Sequence, residues 1–244
     1  MAQIYLLIGG GGGIGSAVSR RLKDRGATVV IAERKADKAE ARASELGVHG
    51  EQCDATDFEQ VADLIKRVED AHGPIDGIAN LAGSIIIKPV TSVSQDEFMA
   101  TIHQNLTSAF ATVRAASRPM QKAGRGSIVL VSSCAARLGL MHHEAIAAAK
   151  GGVISLAQTA AASLAGKGVR VNCVAPGLVD TPMAEKLTGS DRAREASEQM
   201  HPLGRLGEPE DIARAIEWLI TDDASWVTGQ CIGVDGGLAA IKGK

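Results

Sequence analysis

Aromatic side chains are scarce in this 244-residue chain: two tryptophans, three phenylalanines and one tyrosine, Tyr5. A core poor in rings must be filled mainly by Ala, Val, Ile and Leu. The four cysteines, Cys53, Cys134, Cys173 and Cys231, are scattered without a C-x-x-C pair or zinc-like spacing. That excludes a disulfide framework and fits reduced thiols in a reducing compartment. Charge of one sign is missing as well: the formal net charge is −2 and no basic block gathers on one segment, so neither nucleic acid nor an anionic membrane is an expected partner. No run approaches the roughly 20 apolar residues of a bilayer span. The first apolar run, Ile4–Ile8, is short for a signal-peptide core and lacks a basic leader. The cytoplasm is the expected compartment.

What is present is an alternation of short β-branched runs with longer Ala-rich stretches of helical period. Residues 4–8, 28–32, 75–79, 127–131 and 169–174 read as buried strands, 48–52 as a weaker one, and 230–234 closes the series. Helices are expected at 14–25, 36–46, 58–71, 95–122 and 144–165, with breaks at Gly26, Gly47, Gly73-Pro74, Gly124 and Gly166. This rhythm predicts an α/β fold, a doubly wound parallel sheet flanked by helices, formed as a single Rossmann domain over 1–244. No Pro/Gly/Ser-rich linker or solenoid repeat interrupts it. Only 178–208, polar and carrying Pro182 and Pro202, departs from the rhythm. It is expected to be a mobile lid over a site.

The segment IGGGGGIG at 8–15 follows a strand and precedes a helix. Glycines there let the backbone approach a pyrophosphate, and the helix N-terminus offers free N–H groups and a positive dipole end. In this context the glycines predict a dinucleotide site. Glu33 ends the second strand 18 residues beyond Gly15. An acidic side chain there can hold both ribose hydroxyls of an adenosine and repel a 2′-phosphate, which favours NAD over NADP. Arg34 pulls the other way.

Several further motifs carry a family resemblance. Gly9, Gly13, Ile14 and Gly15 fit a T-G-x-x-x-G-x-G cofactor loop with Ile8 in place of threonine; Asp54 and Ala55 lie in CDATD; Asn80, Ala82 and Gly83 lie in NLAG. Pro176, Gly177, Val179 and Thr181 lie in APGLVDTPM, and LGRLGEPEDIA and TGQCIGVDGG follow near the end. In order and spacing these segments resemble the short-chain dehydrogenase/reductase family over almost the whole chain. The resemblance implies that Asp54 contacts adenine, that Pro176, Gly177 and Thr181 meet the nicotinamide, and that the protein is a homotetramer with the 95–122 and 144–165 helices between subunits. It also implies a catalytic set of Asn, Ser, Tyr and Lys. Asn105, Ser133 and Lys150 match three of these; the tyrosine position holds Ile146.

Isoleucine neither gives nor takes a proton, and general acid–base catalysis typically contributes roughly 10²–10⁴ in rate. Tyr5 is too near the N-terminus to stand in. In HHEAIAAAK, His143 precedes Ile146 by three residues and shares its helix face. Two readings are open: His143 replaces the tyrosine, or His142-His143-Glu144 simply begins an exposed helix, with Glu144 at its N-terminal dipole. Ser133 has an alternative as a loop hydrogen-bonder, and Asn105 as the stabiliser of a helix irregularity. The expected function is an NAD(P)-dependent oxidoreductase acting on a small alcohol or carbonyl with a non-standard proton donor. The alternatives are a weak or inactive dinucleotide-binding protein, such as a sensor or assembly subunit, and lyase or dehalogenase chemistry on the same fold.

Overall fold

The computed structural model describes residues 2–241; residue 1 and residues 242–244 of the expected domain span lie outside the described residues. Seven strands, β1 (Ile4–Ile8), β2 (Thr28–Glu33), β3 (His49–Gln52), β4 (Gly77–Asn80), β5 (Gly126–Val131), β6 (Val169–Pro176) and β7 (Cys231–Val234), form one sheet in the order β3-β2-β1-β4-β5-β6-β7. Every neighbouring pair is parallel. The centre of the sheet is apolar on both faces, which is why its strands read as continuous runs rather than alternations. In β1, Ile4, Leu6 and Ile8 enter one core cluster while Tyr5 and Leu7 enter the other.

Helices α3 (Phe58–His72), α5 (Ser108–Ala123) and α6 (Glu144–Leu164) supply the first cluster; α1 (Gly13–Asp24), α2 (Ala36–Leu46) and α9 (Pro209–Ile220) supply the second. The chain winds outward from β1 in both directions, so the strand order reverses between β1 and β4. That reversal opens a crevice at the carboxyl ends of the strands. The predicted α/β architecture is the observed one.

Four local readings are corrected. The helix expected over 95–122 is divided into α4 (Gln95–Ile102), a π turn (His103–Thr107) and α5. The buried Asn105 amide donates to the Thr101 carbonyl at 2.9 Å and so competes with the main-chain ladder there. The α6 segment ends in a 3₁₀ turn, Ala165–Lys167, and it is Gly168 at φ 77° rather than Gly166 that turns the chain. Helix α9 was not foreseen, although Pro209 stands in its first turn and Ile212, Ile216 and Leu219 recur on one face. It is clamped to α1 by Glu217, which accepts from Arg21 and, at 3.1 Å, from Arg25; Arg21 also reaches Glu210 at 2.5 Å. Finally, residues 144–167 make one helix long and apolar enough to cross a membrane by length and composition. Here its Val153, Ala157, Ala161 and Leu164 side pack into the core.

The 178–208 segment holds two helices of its own, α7 (Glu185–Thr188) and α8 (Asp191–Met200). A bridge between Val179 and Gly207 pins its ends together, with Asp180 N donating to Gly207 O at 2.8 Å and Gly207 N to Leu178 O at 2.9 Å.

Candidate active site

The crevice is a cleft of about 430 Å³ lined by the glycine loop, the β4 and β5 exits, α6 and the start of the 178–208 segment. At one end β1 passes through the loop into α1 without a side-chain cap. A Cβ on Gly15 would stand 2.4 Å from the Gly10 carbonyl oxygen, and Gly9 adopts φ 78°, where a Cβ would stand 2.7 Å from Ala82 N. Glycine is therefore required here, not merely tolerated. The N–H groups of Gly13, Ile14 and Gly15 have no main-chain partner among the described residues, as befits the first turn of a helix, and are available to an anion.

Beside the loop, Glu33 Oε1 accepts from Gly11 N at 2.7 Å while Oε2 meets Lys38 Nζ at 3.0 Å. Arg34 is exposed and outside the cleft lining. The basic residues that do line this end are Lys38 and Arg42, one and two turns into α2. Both went unnoticed in the sequence; their spacing of four on the α2 face nearest Glu33 was the available signal.

Asp54 is spent locally, accepting from Thr56 N at 2.9 Å and Thr56 Oγ1 at 2.7 Å. Asn80 is buried and braces the β4 exit, donating to Thr112 Oγ1 at 2.8 Å and accepting from Ala82 N at 3.0 Å. Asp54, Ala55, Asn80 and Ala82 are not cleft-lining residues, whereas Gly83, Pro176, Gly177, Val179 and Thr181 are.

At the other end, Asn105, Ser133, Ile146 and Lys150 line the same space. A Cβ on Gly83 would lie 2.8 Å from Asn105 Oδ1 and 3.4 Å from Lys150 Nζ, so these three residues surround one point. Asn105 also holds Ser84, accepting from its N–H at 3.2 Å and donating to its hydroxyl at 3.1 Å. Asn105 thus sits at a helix irregularity and also lines the cleft.

Two reciprocal bonds bolt α6 to the end of β5. Lys150 Nζ donates to Val131 O at 2.7 Å, and Ser132 Oγ donates to Lys150 O at 2.8 Å. Ser132, buried and lining the cleft, was missed; a serine pair closing an apolar strand was its only trace. Ser133 Oγ accepts from Ala135 N at 3.2 Å and leaves its own proton to offer. Lys150 is buried without an acidic partner among the described residues, and burial pushes its ammonium down to about 8.

Ile146 is buried one turn before Lys150 on the same helix face. His143 is the N-cap residue of α6, and its Nδ1 donates to the Met141 carbonyl at 2.7 Å. Its ring is not among the cleft-lining groups. The structure therefore does not bring His143 to the position expected of a tyrosine substitute. Tyr5 is farther still: it lines a separate cavity with Arg170 and Asp222 at the opposite end of the sheet, and burial pushes its hydroxyl up to about 12.

A parallel doubly wound sheet with a glycine cradle at its switch point and a lysine–serine–asparagine set across the cleft defines a dinucleotide-binding oxidoreductase. A family model described as enoyl-(acyl carrier protein) reductase matches residues 9–239. The chain is 36% identical over 241 residues to a 3-oxoacyl-[acyl-carrier-protein] reductase of Thermotoga maritima, covering 97% of each. It is 37% identical over 245 residues to cis-4-hydroxycyclohexanecarboxylate dehydrogenase of Sinomonas cyclohexanicum, covering 98% of this chain and 97% of the relative. The solved structure of a short-chain type dehydrogenase/reductase from Mycobacterium ulcerans superposes with a TM-score of 0.94 at 35% identity, over 99% of this chain and 91% of that one. The chain belongs to the short-chain dehydrogenase/reductase family.

Proposed function

We propose that this protein is a nicotinamide-dependent oxidoreductase that interconverts a small carbonyl compound and its alcohol without a tyrosine. The observation that carries the reading is convergence: the phosphate cradle, Asn105, Ser133 and Lys150 all face one cleft. When bound, the dinucleotide supplies or accepts the hydride. The free N–H groups of Gly13, Ile14 and Gly15 hold its phosphates, Glu33 its adenosine ribose, and Lys150 its other ribose. Ser133 donates to the substrate oxygen, and Asn105 fixes the loop at Ser84. Pro176, Gly177, Val179 and Thr181 form the nicotinamide wall, while Asp54 and Ala55 border the adenine. The proton cannot come from Ile146.

NAD is the proposed dinucleotide, because the Glu33 carboxylate already sits on the glycine loop and repels a 2′-phosphate. Lys38 and Arg42 favour NADP as a second reading, in line with the NADP-bound ElxO structure, which is 30% identical and superposes with a TM-score of 0.93. Calorimetric titration with NADH and with NADPH decides between them. Binding of neither by folded protein would overturn the oxidoreductase reading.

The substrate end is apolar. Ile85 and Met183 line it, both partly exposed, which suits a small carbonyl on an aliphatic or alicyclic frame. The 178–208 segment acts as the lid of a single domain, and the exposed Phe98, Met99 and Phe110 on α4 and α5 suit a homotetramer packed through those helices. Sedimentation as a monomer at micromolar concentration would remove that assembly. A dinucleotide-binding protein without turnover is the competing reading, favoured by Ile146; it predicts NADH binding with no carbonyl reduction.

A further inference from the structure

With the phenol gone, the cleft has few groups able to exchange a proton. Of its lining side chains only Lys38, Arg42 and Lys150 ionise. Lys38 and Arg42 stand on α2 at the glycine-loop end, the first paired with Glu33 and the second with Glu45 at 2.6 Å. Lys150 alone stands among Asn105, Ser133 and Ile146. We infer that Lys150 is itself the general acid and base of the reaction, giving its proton to the substrate oxygen during reduction and removing it during oxidation. The inference rests on the oxidoreductase reading above.

Three features of the site carry it. The ammonium has three protons and spends one, on Val131 O; the others are free for a ligand. It is buried without an acidic partner among the described residues, and the cost of burial outweighs the smaller support its charged form receives from Cys173. Of the titratable groups on the strands beneath it, Cys173 on β6 bears on its charge, and Cys173 is itself paired with Cys231 on β7. Burial moves the lysine into the range where both protonation states exist near neutral pH. Finally, Ile146 is shorter than tyrosine by most of a ring, so a substrate oxygen above it comes nearer the lysine than a phenol would permit.

The step balances. In reduction the carbonyl carbon gains a hydride, the C=O π pair moves onto oxygen, and that oxygen takes a proton from Nζ. Lys150 is left as a neutral amine and regains its proton from solvent. Oxidation runs the same transfers backward and starts from the amine.

The test has two arms. In cofactor-free protein carrying ¹³Cε-lysine, the Lys150 resonance, identified by its absence in Lys150→Arg, should titrate near pH 8. Titration at or above 10 overturns the proposal. In the second arm, wild type and Lys150→Arg are assayed with acetoacetyl thioester and cyclohexanone as carbonyl probes and cyclohexanol as the alcohol probe. Reduction should fall, and oxidation rise, as pH passes about 8.

Lys150→Arg keeps the positive charge and a donor for Val131 but cannot deprotonate in this range. It should lose roughly 10² or more in kcat, the scale of acid–base catalysis, beyond whatever loss in NADH affinity follows from its ribose contact, which is read separately as the Kd. Wild-type turnover and pH profile in Lys150→Arg would overturn the assignment. Loss of the profile in His143→Gln but not in Lys150→Arg would return the role to the histidine. Failure of folded wild type to bind either dinucleotide would instead sink the oxidoreductase reading, whatever the resonance does.

Discussion

The two ends of the cleft are built from different materials. At the phosphate end the geometry is main chain: Gly9 presses on the Leu81–Ala82 backbone and Gly15 on the Gly10 carbonyl. No side chain can be added without moving the strand or helix that carries it. At the reaction end the geometry is side chain: Ile146 and Lys150 project from α6, Ser133 from the exit of β5 and Asn105 from the π turn, with α6 and β5 bolted together by Ser132 and Val131. There a phenol can be exchanged for an isoleucine while the helix, its packing and its lysine stay in place. Backbone-made sites are locked to their residues; side-chain-made sites permit a change of chemistry under a constant fold.

The sharpest way to break this contrast is Gly15→Ala. Its Cβ would stand 2.4 Å from a carbonyl oxygen, so NADH affinity should fall by about 100-fold or more, about 3 kcal/mol, as read by calorimetry. Unchanged affinity would show that the cradle is not made by the backbone. At the other end, Ile146→Tyr should leave affinity within a few-fold and raise turnover by roughly 10²-fold. A loss of turnover would show that α6 no longer accommodates the ring.

Lys150→Met tests the buried charge through stability. The wild-type ammonium is held down to about 8 from an ordinary 10.5. Below pH 8 both folded and unfolded states are protonated and the folded state bears the whole cost of burial. Between about 8 and 10.5 only the unfolded state holds the proton, so wild-type stability rises with pH. Chemical denaturation should therefore find Lys150→Met more stable at pH 7 by about 2–3 kcal/mol, with the gap closing towards pH 10.5. A pH-independent difference would mean the ammonium is not desolvated. The smallest effect is expected at Glu33→Gln. Removing that charge beside Lys38 and Arg42 should move the NADH-to-NADPH affinity ratio by about tenfold towards NADPH, about 1.4 kcal/mol.

The same contrast explains what the sequence disclosed. The parallel sheet was legible because two-sided burial leaves unbroken apolar runs, and β1 and α2 fall at their expected bounds. The cradle was legible because a locked backbone leaves glycines as its signature. Side-chain constellations leave weaker marks. Ser132 carries no spacing rule of its own, and the i, i+4 pair Lys38 and Arg42 looks like any solvated helix face; they became visible only when β5, α6 and α2 were brought together. Helix α9 escaped although its cap and periodicity were present, because Pro209 and the neighbouring glycines read as loop. His143 was placed by helix phase alone; the turn through His142 at φ 66° and the bond to Met141 carry its ring elsewhere.

The π turn at His103–Thr107 sets a phase. One residue inserted into a helix advances everything beyond it by about 100°. Thus α5 turns Ala109, Ala116 and Met120 into the core while α4 leaves Phe98 and Met99 outward. Deleting a single residue from this turn would restore a regular thread, swing Asn105 away from Ser84 and re-aim the exposed Phe98 and Met99 of α4 together. The site and the outer surface of the molecule are thereby geared to the same screw, and a partner gripping α4 would hold the position of Asn105.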